Sequence, residues 1–182
     1  MNIAIVGTHS TGKTTLVHAL TSMLAYKRYS PILLREYARE CPYPINERTS
    51  LQAQQWIQDE QEKNEQHYIT RESWVVSDRC MLDNLAYMQC VAGGRDITHA
   101  ITKAVEGVMR YDLVFKTQML DLPATDDRVR SVDSAFRKKI DEYITALFIN
   151  NRIPFLLLPP TTNYDTHVGF ICSHIERVER YR

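Results

Sequence analysis

An apolar run from Ile3 to Val6 leads directly into Gly7-Thr8-His9-Ser10-Thr11-Gly12-Lys13-Thr14, which fits G-x-x-x-x-G-K-[ST]. No other feature restricts the fold of this chain as much. The apolar run predicts a buried strand, and the residues after the pattern predict a helix reaching about Ala25. A glycine-bounded loop between strand and helix turns successive backbone N–H groups toward one point, where the helix N-terminus adds partial positive charge. A chain of phosphates suits that point. Lys13 would reach the β- and γ-phosphates and the Thr14 hydroxyl would coordinate Mg²⁺, so ATP and Mg²⁺ are the expected cofactors. The candidate nucleotide-binding residues are Gly7, Ser10, Thr11, Gly12, Lys13, Thr14 and Thr15, while His9, at a variable place in the pattern, is expected to face solvent.

Beyond this loop, short apolar runs alternate with longer amphipathic stretches, the pattern of βαβ units around a parallel sheet. Strands are predicted at Ile3–Val6, Ile32–Arg35, Trp74–Ser77, Leu113–Lys116 and Phe155–Leu158. Helices are predicted after the phosphate loop and over about 50–70, 82–91, 97–109, 134–150 and 164–180. The expected fold class is α/β, a P-loop NTPase three-layer α/β/α arrangement with a five-stranded parallel sheet and an arginine-bearing lid. One domain over 1–182, with the lid at about 120–133, suits a chain of 182 residues.

Charge and cysteine usage narrow the partners. The 22 Lys plus Arg balance 22 Asp plus Glu, so no global positive field is available for a nucleic-acid backbone, and a small substrate is the simpler expectation. Cys41, Cys80, Cys90 and Cys172 show no C-x-x-C spacing, which argues against a zinc site or a disulfide-stapled fold and suits reduced thiols in the cytoplasm. The remaining histidines, His18, His67, His99, His167 and His174, show no metal-ligand spacing. No basic leader precedes the first apolar run and no segment is long and apolar enough to span a bilayer, so a membrane partner is not expected. A monomer or a homodimer is compatible with all of this.

Three further segments carry candidate chemistry. Asp78 and Arg79 follow "WVVSDR" at the C-terminal edge of the sheet, where open α/β folds bind ligands. There Asp78 can order Mg²⁺ or accept a proton from an attacking hydroxyl, and Arg79 can neutralise phosphate charge; the bland alternative is a surface pair capping the next helix. "ILLREYARE" supplies Arg35, Glu36 and Arg39, a carboxylate between guanidiniums that suits a substrate hydroxyl, or else a solvated helix start. "DLPATDDRVRSVD" reads as a polar loop from which Arg128 or Arg130 could swing onto the γ-phosphoryl group, with Asp127 and Asp133 holding its open or closed form. Asp83 is a candidate sugar or base contact, and Tyr43, Trp56 and Tyr87 are candidates for stacking on a ring, against the commoner role of aromatics in a core. The loop "CPYPINERTS" is broken by Pro42 and Pro44, and Thr49 or Ser50 can cap the helix after it.

Taken together, the phosphate loop, "REYARE", "VVSDRCMLDNLAY" and "DDRVRSVDSAFRKKIDEYI" make the chain resemble the small P-loop kinase-type ATP-binding domains that include the nicotinamide riboside kinase domain of bifunctional NAD-biosynthesis proteins. The resemblance runs from Met1 to about Val178; thymidylate and deoxynucleoside kinases are more distantly similar. It implies ATP-Mg²⁺ as donor and a nucleoside- or nucleotide-like acceptor, with Gly12, Lys13 and Thr14 on the loop, Asp78 and Arg79 as the Asp-Arg pair, and Arg128 and Arg130 on the lid. Glu36 matches the base of deoxynucleoside kinases and Asp78 that of riboside kinases, so the acceptor stays open. Two other readings stay open beside a small-molecule kinase: a kinase acting on a nucleotide or modified base within DNA or RNA, and a regulatory P-loop ATPase with no acceptor.

Overall fold

A computed structural model of the chain describes residues 1–45, 48–120 and 133–181. Five strands, β1 (Asn2–Val6), β2 (Pro31–Leu34), β3 (Trp74–Asp78), β4 (Leu113–Lys116) and β5 (Leu156–Leu157), form one sheet in the order β2-β3-β1-β4-β5. All four pairings are parallel. The helices are α1 (Lys13–Tyr26), α2 (Leu51–Tyr68), α3 (Met81–Val91), α4 (Thr98–Val108), α5 (Ser134–Asn150) and α6 (Tyr164–Arg180).

Central β1 shows how the layers are built. Its side chains alternate between faces, as any strand's must. Ile3 and Ile5 pack with Leu16, Leu20 and Leu24 of α1 and Ile171 of α6. Ala4 and Val6 pack on the other side with Leu82 and Leu85 of α3 and with Ile140 and Ile144 of α5. Because both faces are covered, all five residues of β1 are buried, and the strand reads in sequence as an unbroken apolar run. Helix contributions follow the 3.6 period: the buried residues of α1 include Leu16, Val17, Leu20 and Leu24.

The expected α/β three-layer fold is present, with small shifts at element ends. β3 runs one residue further, to Asp78, and β2 stops at Leu34, leaving Arg35 outside the sheet. After β2 comes a single 3-10 turn, Tyr37–Glu40, in place of a full helix. Ser50 caps α2 by accepting from Ala53 N at 3.1 Å. The lid expected at about 120–133, including Arg128, Arg130 and Asp127, lies outside the described residues apart from its ends, and Asp133 caps α5 by accepting from Ala135 N at 2.8 Å.

α2 falls where the helix over about 50–70 was expected, and its buried face is unusually polar. Its buried face carries Gln54, Gln58, Gln61 and Glu65, a 4-3-4 spacing that lies along one side of a helix. Gln58 Nε2 donates to Met81 O at 2.8 Å, and Gln61 Nε2 donates to Glu65 Oε1 at 2.8 Å. Met81 N donates to the same Glu65 oxygen at 3.2 Å. A polar stripe can face the core when backbone groups of a neighbouring helix satisfy it.

Candidate active site

Lys13, Glu36, Arg39, Asp78, Arg79 and Asp83 gather at the C-terminal ends of β1, β2 and β3. The strand order places β1 between β3 and β4, so the loop after β1 sits at the point where connections diverge to either side, the usual crevice for a ligand in an open α/β sheet. Ile5 is in register with Asp78, which sets the phosphate loop beside the Asp-Arg pair.

Two glycines allow the loop its shape. Gly7 has φ 139° and Gly12 φ 78°, both in the region that disfavours a Cβ. A Cβ on Gly7 would lie 2.2 Å from Thr117 Oγ1, and one on Gly12 would lie 2.6 Å from the Tyr164 hydroxyl. The loop is tied down by Thr11, whose hydroxyl donates to Thr8 O at 2.9 Å and meets Thr117 Oγ1 at 2.7 Å. Ser10 holds a left-handed φ of 57°, and Thr15 lies on the exposed side of α1.

Lys13 is buried, and its Nζ donates to Thr8 O and, at 3.4 Å, to Thr11 Oγ1. Burial, with Arg79 adding repulsion, pulls its ammonium down from 10.5 to about 7. An anion placed in the loop would restore the proton's stability, as a phosphate does for a cation held in a dry site. Thr14 Oγ1 donates to Asp78 Oδ2 at 2.6 Å. The other oxygen, Asp78 Oδ1, is buried and has no hydrogen-bond partner among the described residues. A hydroxyl and a carboxylate oxygen with spare capacity are the hard oxygen donors that Mg²⁺ takes, so this pair fits a divalent cation beside the phosphates.

On the other side stands a chain of charges. Glu36 is buried; its Oε1 accepts from Arg79 Nε at 2.8 Å and its Oε2 lies 3.5 Å from Arg39 Nε. Arg79 is buried as well, at a strained φ of 85°, and donates to Gly7 O at 3.0 Å and Asp83 Oδ2 at 3.2 Å. Burial opposes its charge, but Tyr87, Glu36 and Asp83 more than offset that and hold its pKa well above the ordinary value. Arg35 differs from these, being exposed and paired with Glu40 at 3.0 Å.

Two expectations are corrected here. Asp83, a candidate sugar or base contact, has no exposed surface: its carboxylate accepts from Gly7 N at 3.2 Å, from Cys80 N at 2.8 Å and from Arg79. It closes the first turn of α3 and ties that turn to the phosphate loop, and burial raises its pKa. His9, expected to face solvent, is only 3 % exposed. Its backbone N–H donates to the Tyr87 hydroxyl at 3.2 Å, and its ring packs 5.7 Å from that of Phe136. Solvent was the wrong environment because α3 and α5 both reach over the loop.

A small cavity opens between these elements, lined among others by Glu36, Arg39, Gln54, Arg79, Asn84 and Tyr87. Of the aromatic candidates, Tyr87 lines it; the Tyr43 hydroxyl instead accepts from Gln52 at 3.1 Å. A second opening joins Thr14 and Asp78 to Arg35, Glu36 and Arg39. Glu36 and Arg39 therefore border both.

A profile of the AAA domain family matches residues 2–166. The chain belongs to the AAA domain family. No curated protein sequence matches this AAA domain. Among solved structures, deoxyadenosine kinase from M. mycoides with bound dATP is similar at a TM-score of 0.73 and 18 % identity, over 97 % of this chain and 99 % of that one. The same kinase with dCMP and dCDP bound gives a TM-score of 0.67 at 18 % identity, over 97 % and 100 % of the two chains. At that identity the likeness speaks for the fold, and it extends the P-loop kinase architecture over nearly the whole of the AAA domain.

Sequence reasoning missed Gln54 and Asn84 on the cavity wall, the burial of His9, and Arg137 of α5, which reaches the carbonyl of Ser10 at 3.4 Å. The 4-3-4 spacing of Gln54, Gln58, Gln61 and Glu65 was the available signal for the first. No helix among the described residues is long and apolar enough to cross a membrane, and none of their His, Cys, Asp and Glu side chains form a metal-holding group of three or more.

Proposed function

We propose that this AAA domain is an ATP-Mg²⁺-dependent phosphotransferase that moves the γ-phosphoryl group to a nucleoside- or nucleotide-like acceptor. The observation that carries this reading is the two-sidedness of the site: one carboxylate, Asp78, is bonded to the Thr14 hydroxyl of the phosphate loop, while a second, Glu36, paired with Arg79, lines a further cavity on the opposite side. A nucleotide hydrolase with no acceptor has no use for the second half. The M. mycoides kinase structures, which hold dATP, dCMP and dCDP, support the same assignment by analogy of fold.

In this reading the phosphate loop and Lys13 hold ATP, and Thr14 with Asp78 hold Mg²⁺, which supplies charge neutralisation at the transferring group. Glu36 accepts the proton of the attacking hydroxyl, fixed in place by Arg79 and Arg39. The lid arginines Arg128 and Arg130 would complete the charge neutralisation. Positioning and electrostatics supply the catalysis, since little covalent chemistry falls to the protein. The four free cysteines support a reducing, cytoplasmic setting.

The acceptors this reading favours are nucleosides, nicotinamide riboside included, and nucleoside monophosphates. The second opening, with Arg35 and Arg39 at its rim, also leaves room for an acceptor that continues into a nucleic-acid strand. One assay addresses all of these: the purified chain with ATP-Mg²⁺ and a panel of nucleosides, nucleoside monophosphates, nicotinamide riboside and oligonucleotides, scored for ADP and for phosphorylated product. Product from one acceptor class, lost on adding EDTA, is the expected result. ADP formation that no acceptor stimulates would overturn the phosphotransferase reading.

A further inference from the structure

The buried cations around the phosphate loop fall into two groups. Arg79 has Glu36 at 2.8 Å, and Lys116 has Asp141 at 2.8 Å. Lys13 and Arg137 are equally buried, at 4 % exposure each, yet neither has a carboxylate within ion-pair distance among the described residues. A buried charge without a counter-charge is strongly unfavourable unless an anion arrives to meet it. For Lys13 that anion is the phosphate chain of the nucleotide.

Arg137 is held where the same anion can reach it. It lies one turn into α5, its own N–H donating to Asp133 O at 3.0 Å. Phe136 beside it packs on the His9 ring, which fixes this turn of α5 against the loop. One guanidinium nitrogen, Nη2, donates to Ser10 O at 3.4 Å, a long and weak contact, and Nε is buried with no hydrogen-bond partner among the described residues. A guanidinium offers five N–H donors in a planar fork matched to phosphate oxygens. We infer that Arg137 is a second phosphate-chain ligand, approaching the nucleotide from the Ser10 side of the loop and selecting for charge beyond the α-phosphate. The inference rests on the phosphotransferase reading only in requiring that a nucleoside triphosphate occupy the loop; it does not depend on which acceptor is used, or on whether there is one.

Calorimetric titration of the full chain with ATP, ADP and AMP in Mg²⁺, for the wild type, R137M and R137K, tests it. R137M keeps the length and apolar contacts of the stem and removes the fork. ATP affinity should fall about 10–100-fold in R137M, the loss of charge-assisted hydrogen bonds, while AMP affinity stays within about twofold. R137K should fall between the two, since an ammonium keeps the charge but cannot present the fork. Without nucleotide, R137M should melt at or above the wild-type temperature, because an unmatched buried charge has gone. An ATP-to-AMP affinity ratio in R137M equal to the wild-type ratio would overturn the inference, whatever the melting temperature. If R137M does not fold, the same ratio is read from R137K, where an unchanged ratio again overturns it. Failure of the wild type itself to bind ATP would instead remove the phosphotransferase reading.

Discussion

The two halves of the site are built on different plans. The donor half is largely contiguous: Gly7 to Thr14 carry the loop, the lysine and the hydroxyl within one strand-to-helix turn, and Asp78 joins it from the end of β3. The cavity half is assembled from pieces far apart in the chain, with Glu36 after β2, Gln54 on α2, and Arg79, Asn84 and Tyr87 after β3 and on α3. A contiguous site keeps its geometry through local backbone constraints, glycines at positive φ above all. An assembled one depends on how helices pack, and small changes in packing can alter which ligand fits. Phosphate binding should therefore be the robust property of this fold and acceptor choice the adjustable one.

The largest effect should come from breaking the donor half. Lys13→Ala removes the buried cation proposed to hold the phosphates, and turnover should fall by at least about 10³-fold, with the melting temperature of the free protein little changed because a desolvated ammonium is lost. Steady-state ADP release together with a thermal melt measures both. Turnover within tenfold of wild type would take Lys13 out of the catalytic machinery.

Next in size is a cut confined to the other half. Glu36→Gln keeps the shape and the contact to Arg79 while removing the proton acceptor, and kcat should fall about 10²–10⁴-fold, the range for loss of a general base. ATP binding, measured separately by titration, should stay within a few-fold. Equal losses in ATP affinity and in kcat would show that the halves are not separable, and a fall larger in Asp78→Asn than in Glu36→Gln with ATP-Mg²⁺ binding intact would move the base to Asp78.

The same contrast explains what was legible in the sequence. Strand and helix positions followed from apolar periodicity because both faces of the sheet are covered and every core strand is a nearly pure apolar run, as Ile3 to Val6 show. The loop was legible because Gly-x-x-x-x-Gly-Lys-Thr encodes its own geometry. Arg35 and Arg39 looked alike beside Glu36, yet Arg35 turns outward to Glu40 while Arg39 stays with Glu36, a difference set by the short 3-10 turn that follows β2. Asp83 looked like a ligand contact one turn after Arg79, and it became part of the scaffold because the N–H groups of Gly7 and Cys80 both needed an acceptor. The helix over 51–68 was legible as a helix, but which of its polar residues face the core was not, since glutamines are as common on a solvated face as on a satisfied buried one.

A smaller effect should follow from that face. Gln54 lines the cavity with its amide held by Thr49, Nε2 donating to Thr49 Oγ1 at 2.7 Å. Gln54→Leu removes the side-chain carbonyl and amide from the wall, and KM for the acceptor should rise about tenfold, as expected for one lost hydrogen bond, with KM for ATP unchanged. A change in the ATP constant instead would place Gln54 with the donor half.

The last effect is on stability and tests the far end of the same stripe, away from the ligands. Glu65 is fully buried, and that burial pushes its carboxyl up from 4.5 to about 7 against the opposing pull of hydrogen bonds from Gln61 and Met81 N and of the Arg110 charge. Its folded pKa is the higher one, so the folded state keeps this proton between pH 4.5 and about 7 while the unfolded chain releases it, and stability drains away as pH rises through that window. Above it both states are ionised and the folded state carries the full cost. Glu65→Gln keeps an acceptor oxygen for Gln61 and Met81 and does not titrate. The variant and the wild type should melt together near pH 4.5, and by pH 8 the variant should be ahead by up to about 3 kcal/mol, on the order of 10 °C in a chain of this size. A gap between their melting temperatures that does not widen across that range would mean that α2 and α3 separate enough to let water reach Glu65, and the cavity wall they share would then be soft as well.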